Sequence, residues 1–172
     1  MIQIKRILAP TDFSESSFAA AHYAMELADA FGAEVHLLHV IEPPVYYSPA
    51  FGGYIPDRAD LQAYAAAGLE GVTLADEPTD VKIVRRWVEG QAASAIIEDV
   101  EKNNIDVVVL GTHGHSAVRR FFMGSVAERV VRHASCPVLT VRPATSTVGV
   151  EADEGSAKVT NHGDQAAASS TL

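Results

Sequence analysis

The sequence predicts an α/β fold: a doubly wound, five-stranded parallel sheet with helices on both faces. Three observations carry that prediction. Strand-length runs rich in Val, Ile and Leu alternate with helix-length segments along residues 4–143. Several runs lack a clean apolar–polar alternation, which suits strands buried on both faces of a parallel sheet. The intervening segments have helical period and length, and a βαβαβαβαβ order calls for parallel strands with crossover helices.

The elements follow in order. IKRILAP (4–10) reads as the first strand, and Ser14 to Phe31 as the first helix. Its expected inner face holds Phe18, Ala21, Met25 and Ala28, flanked by Leu27, with Ser14 as N-cap and Gly32 just past the end. EVHLLHV (34–40) is the second strand. The stretch PPVYYSPAFGGYIPDRAD (43–60) reads as a long loop, of the length often used for lids or interaction surfaces. Its Tyr46, Tyr47, Phe51 and Tyr54 suit contact with a protein partner, and equally a lid with partly buried aromatics.

An alanine-rich helix is expected over 60–75, although Gly68 and Gly71 speak against a regular one. VKIVRRWVEG (81–90) is a more mixed strand. Gln91 to Lys102 repeats Ala92, Ala95, Ile96 and Val100 at helical spacing, with Asp99 as a polar exception. IDVVVLG (105–111), a helix over 125–133, and PVLTVRP (137–143) complete the pattern. Residues 1–143 then form one domain, and 144–172 a polar, acidic tail too poor in large apolar residues to build a core.

Composition excludes some functions. Thirteen basic against 22 acidic residues give a net charge of -9, which argues against binding a nucleic-acid backbone. No apolar run approaches the ~20 residues that span a bilayer. The opening MIQIKRILAPTDF has no signal-peptide core with a small-residue cleavage site, so the expectation is a soluble, cytoplasmic protein without membrane insertion. A single cysteine, Cys136, cannot form an internal disulfide and reads as a small buried filler.

The informative stretch is GTHGHSAVRRFFMGS, Gly111 to Ser125. It leaves a strand at the edge where doubly wound sheets bind ligands. Gly111 and Gly114 let main chain approach a ligand closely. Gly124 precedes Ser125-Val-Ala-Glu128, which has the form of a capping box. The first turn of the helix that follows offers unpaired N–H groups and the positive end of a dipole, a seat for phosphate. Neither a P-loop nor a dinucleotide fingerprint is present. Each glycine taken singly also has an ordinary structural reading.

The spacing G-x2-G-x9-G-[ST], met by Gly111, Gly114, Gly124 and Ser125, resembles the nucleotide motif of the ATP-binding branch of the universal stress protein family. The resemblance covers residues 1 to about 143 and includes PTDFSE, LLHV and CPVLTVRP. It implies an adenine nucleotide alpha hydrolase-like fold. It also implies ATP as ligand, with Mg²⁺ held mainly by the phosphates.

By that resemblance Pro10, Thr11 and Asp12 meet the adenosine part, with Asp12 on the ribose. From the residues alone, Asp12 serves equally well as a cap for the helix beside it. Val40 offers backbone to the adenine, and Leu110 lines the same region. Gly111, His113 and Gly114 form the first half of a phosphate loop, and Gly124, Ser125 and Val126 the second. Ala127 departs from relatives that carry a hydroxyl there. Arg119 and Arg120 are suited to phosphate charge, and as common on a plain solvent-facing loop. His113 and His115 lack the further ligands of a metal site.

The expected function is a nucleotide-responsive sensor or adaptor in the stress response, homodimeric through 137–143, with a protein partner the sequence does not name. Catalysis is not indicated, since one carboxylate and no base for an attacking water fall short of a phosphoryl-transfer site. Weak ATPase or autophosphorylation is the most it supports. Slow ATP hydrolysis or adenylation on a related α/β fold is one alternative. That chemistry favours a glycine-rich loop after the first strand, where PTDFSESS has none. A nucleotide-independent dimeric adaptor is the other.

Overall fold

The computed structural model describes residues 3–42, 57–72, 80–112 and 123–142. The element order is β1 (Arg6–Thr11), α1 (Glu15–Phe31), β2 (Glu34–Ile41), α2 (Arg58–Gly71), β3 (Ile83–Glu89), α3 (Ala92–Lys102), β4 (Val107–Gly111), α4 (Ser125–His133) and β5 (Val138–Val141). The five strands form one sheet in the order β3-β2-β1-β4-β5, and every pairing is parallel. The fold class expected from the sequence is the one observed. Chain order leads from β1 to β2 on one side, while β4 pairs with β1 on the other. The switch point therefore lies between β1 and β4, where such sheets bind ligands.

Successive strand residues face opposite layers, so the buried runs serve two cores. Ile7, Ala9, Val35, Leu37, Val107 and Val109 pack with α1 and with Leu69 of α2. Leu8, Leu38, Val108 and Leu110 pack with Ala93, Ile96 and Val100 of α3 and Ala127 and Val130 of α4. Ile7, Leu8, Leu37, Leu38, Val108 and Val109 are wholly excluded from solvent. Each such side chain contributes roughly 1.5–3 kcal/mol of transfer free energy. That double burial explains why these strands read as continuous apolar runs.

Helix α1 begins where expected. Ser14 caps it by accepting from Ser17 N, and Gly32 ends it with φ +63, its N–H directed to the carbonyls of Ala28 and Asp29. Its inner face is smaller than the sequence suggested: Ala20, Ala21, Ala24, Met25 and Ala28 are buried while Phe18 is exposed. Small residues let the helix lie close on the sheet.

Helix α2 starts earlier than expected. Asp57 accepts from Asp60 N at 2.8 Å as N-cap, so the end of the 43–60 stretch is a cap and a first turn. The aromatic residues Tyr46, Tyr47, Phe51 and Tyr54 of that stretch lie outside the described residues, as does the 144–172 tail. The helix ends at Gly71 and includes Gly68. Asp99, the polar exception on the apolar face of α3, is buried there, and Arg86 of β3 reaches its Oδ2 at 2.9 Å. Among the described residues, no helix is long and apolar enough to cross a membrane.

Candidate functional site

The carboxyl end of β1 turns sharply into α1. Pro10 is half-buried in the strand, and Thr11 closes it, buried. The Thr11 hydroxyl faces inward, 3.0 Å from Ser17 Oγ, and accepts the Phe13 amide at 3.0 Å. Asp12 follows, partly exposed. Its Oδ1 accepts from both the amide and the hydroxyl of Ser14, at 3.1 and 2.6 Å. Ser14 is thus the helix cap, and Asp12 orients that cap instead of replacing it. The carboxylate is thereby held in one orientation at the sheet's ligand edge.

Strand β4 ends beside this turn. A Cβ built on Gly111 would strike Ser16 Oγ and approach the Ser16 carbonyl carbon and oxygen to 2.8 Å. Gly111 is not in the left-handed region (its place is the last residue of an extended strand). The absence of a side chain at Gly111 is therefore explained by the close approach of α1 to β4. That approach brings the start of α1 and the end of β4 together at the switch point.

His113 and Gly114 lie outside the described residues. Both ends of their loop are fixed. Thr112 is buried, and its amide donates to Val141 O at 3.1 Å. The amide of Gly124 donates to Thr112 O at 2.8 Å, closing the two halves of the motif on each other.

Gly124 is itself the N-cap of α4, with φ −59 and ψ 151, and it brings no side chain to cap the helix. The expected capping box does not form: Ser125 is the first helical residue, and Glu128 pairs with Arg132 at 2.7 Å one turn along. Ser125 is exposed. The first-turn amides of an α-helix have no acceptor within the helix, and here the glycine cap supplies no side chain to meet them. Val126 is half-buried against the same cluster that holds Leu110 and Val40. The structure therefore gathers Val40, Leu110 and Val126 on the α3/α4 side of the sheet, with Asp12 at the central strand end.

Cys136 lies away from this edge, just before the amino end of β5. Burial pushes the Cys136 thiol up from its ordinary value, the opposite of an activated nucleophile. Among the described residues, no group of three or more His, Cys, Asp or Glu gathers to hold a metal ion.

Comparison with known proteins decides the family. The profile of the Universal stress protein family matches residues 3–142. The chain belongs to the universal stress protein family. Universal stress protein MJ0531 of Methanocaldococcus jannaschii is 38% identical over 139 residues, spanning 80% of this chain and 82% of that protein. Among solved structures, universal stress protein UspA from Lactobacillus plantarum has a TM-score of 0.68 at 26% identity, covering 83% of this chain and all (100%) of that one. Two more distant universal stress proteins share the fold and were solved with ligands. One is a complex with cAMP, with a TM-score of 0.62 at 24% identity over 83% of this chain and 100% of that one. The other, from Archaeoglobus fulgidus, is a complex with dAMP, with a TM-score of 0.54 at 16% identity over 81% of this chain and 98% of that one.

The sequence did not reveal one cluster beside the Asp12 turn of this universal stress protein. Phe13, His39, Tyr64 and Gly68 form a cluster under the Asp12 turn. Its one sequence signal was Gly68, a glycine in an otherwise alanine-rich helix.

Proposed function

We propose that this protein binds an adenine nucleotide, ATP with Mg²⁺, at the carboxyl ends of β1, β2 and β4, and acts as a nucleotide-responsive adaptor in the stress response. The observation that carries the proposal is the Gly124–Thr112 hydrogen bond. It ties the N-terminus of α4 to the residue that follows β4, at the carboxyl edge of the sheet. Solved universal stress proteins in complex with cAMP and dAMP support an adenine nucleotide as the ligand class.

The roles follow from the chemistry of each group. Asp12, already gripped on Oδ1, accepts from a ribose hydroxyl. Val40 offers backbone polar groups to the adenine edge, with Pro10, Thr11 and Leu110 as walls. The amides of Ser125 and Val126 and the Ser125 hydroxyl donate to phosphate oxygens, where the helix dipole favours negative charge. Gly111, His113 and Gly114 complete the cradle from its other side. Mg²⁺, held by phosphates and water, neutralises charge that an acidic protein would otherwise repel. In this reading binding and release of the nucleotide, rather than its turnover, carry the signal.

The protein is proposed to be a cytoplasmic homodimer. Strand β5 is an edge of the sheet, with Leu139 exposed on it, and an edge strand offers unpaired backbone groups to a second copy. Calorimetric titration of nucleotide-free protein with ATP and AMP, each with and without Mg²⁺, tests the central reading. Saturable binding of both nucleotides, with ATP strengthened by Mg²⁺, is expected. Absence of binding to either would overturn it.

A further inference from the structure

The turn that carries Asp12 is held by a device the nucleotide reading does not require. Phe13, the next residue, has φ +64. That left-handed region favours glycine and is a genuine outlier for a bulky side chain. The other such non-glycine among the described residues is Asn104, a residue type whose short polar side chain tolerates it. Strained backbone persists only where its surroundings over-determine it, and here a backbone hydrogen bond, two ring contacts and, as a third kind of contact, a notch in α2 do so. The Phe13 amide donates to Thr11 Oγ1. The ring stacks on His39 with centroids 4.3 Å apart, and meets Tyr64 edge-on at 5.7 Å. The third contact is a notch in α2: a Cβ at Gly68 would lie 2.5–2.9 Å from the Phe13 ring carbons.

His39 is itself fixed. Its Nδ1 lies 2.9 Å from the Thr11 carbonyl oxygen, which can only accept, so Nδ1 donates. The corner between β1 and α1 is thus clamped from β2 and from α2.

We propose that Phe13 is a positioning residue for Asp12, and that the Gly68 notch makes nucleotide affinity depend on how α2 is seated. The inference rests on the nucleotide-binding reading and adds to it a residue and a coupling. With Phe13 left-handed, the chain turns back so that both the amide and hydroxyl of Ser14 reach Asp12 Oδ1. Moving the ring moves that corner and re-aims the carboxylate. The ring's seat lies on α2, whose Tyr64 is 61% exposed, so whatever shifts α2 is felt at the ribose contact.

Gly68→Ala adds one methyl group against the ring, on a helix where alanine is intrinsically preferred to glycine. Affinities are measured for ATP and for 2′,3′-dideoxy-ATP, which lacks both ribose hydroxyls, with thermal denaturation alongside. The expected result is a loss of about tenfold for ATP, the scale of one hydrogen bond to a charged group. Dideoxy-ATP, already weaker on the wild type, should bind the variant unchanged. Unchanged ATP affinity overturns the inference, as does an equal loss for both nucleotides, which is what general loosening produces. If Gly68→Ala does not fold, Phe13→Gly keeps the backbone conformation accessible and removes the ring, with the same supporting and opposing outcomes. A wild-type protein that binds neither nucleotide overturns the nucleotide-binding reading itself. A wild type that binds while both variants match it overturns only the role of Phe13.

Discussion

The backbone amide of Gly124 donates to the carbonyl oxygen of Thr112 at 2.8 Å. Thr112 ends the central β4 side of the site, and Gly124 caps α4. One hydrogen bond therefore sets where a helix N-terminus sits relative to the end of β4. The proposed site rests on backbone geometry at this edge of the sheet.

Asp12→Ala should weaken ATP and AMP binding by similar factors, because both nucleotides carry the same ribose. It also removes the acceptor that orients Ser14, so stability should fall by about 0.5–1 kcal/mol, the range of a weakened helix cap. Titration with both nucleotides checks the first expectation, and urea denaturation the second. A loss confined to ATP would move Asp12 to the phosphates.

Glu34 supplies a pH signature at the opposite end of β2. Hydrogen bonds from Lys82 and His36 hold its carboxyl down at about 2, from an ordinary value of 4.5. A depressed folded-state value means the group stabilises the fold above pH 4.5 and loses that contribution as pH falls from 4.5 toward 2. Its partners Arg6 and Lys82 are well exposed, so the contribution should stay below about 1 kcal/mol. Melting temperatures of wild type and Glu34→Gln should differ at pH 6 and converge as the pH falls through that window.

Asp99 and Arg86 make the buried pair of the α3 layer. Arg86 Nη2 reaches Asp99 Oδ2 at 2.9 Å and His36 Nδ1 at 3.0 Å, while Asn103 Nδ2 donates to Asp99 Oδ1. Asp99→Ala removes the carboxylate partner of a half-buried guanidinium and should destabilise by about 1–3 kcal/mol. Arg86→Met combined with Asp99→Leu should recover most of that in chemical denaturation. A single-variant loss as small as that of an exposed pair would contradict the buried-pair account.

Legibility from the sequence followed burial. Strands β1, β2 and β4 could be read because both of their faces are apolar, and β3 less cleanly because it carries Arg85, Arg86 and Glu89 at a sheet edge. Ser14 and Gly32 marked the ends of α1 correctly because capping is local chemistry. The Ser125 capping box misled for the same reason: its pattern is local, but the bond from Gly124 to Thr112 shifts the cap by one residue. Gly111 was recognisable as special, while its reason, the nearness of Ser16, is a tertiary contact absent from the sequence. Phe13 was invisible as a strained residue, since its backbone angle depends on His39 and Gly68, 26 and 55 positions away.

The most direct test of the account uses Gly124→Pro. The φ of −59 at Gly124 suits proline, so the substitution removes the N–H that meets Thr112 while leaving the start of α4 permissible. Calorimetric titration with ATP and Mg²⁺ should show saturable binding to the wild type and its loss in Gly124→Pro, with the fold retained by circular dichroism. Equal binding by the two proteins would contradict the claim that this closure builds the nucleotide site.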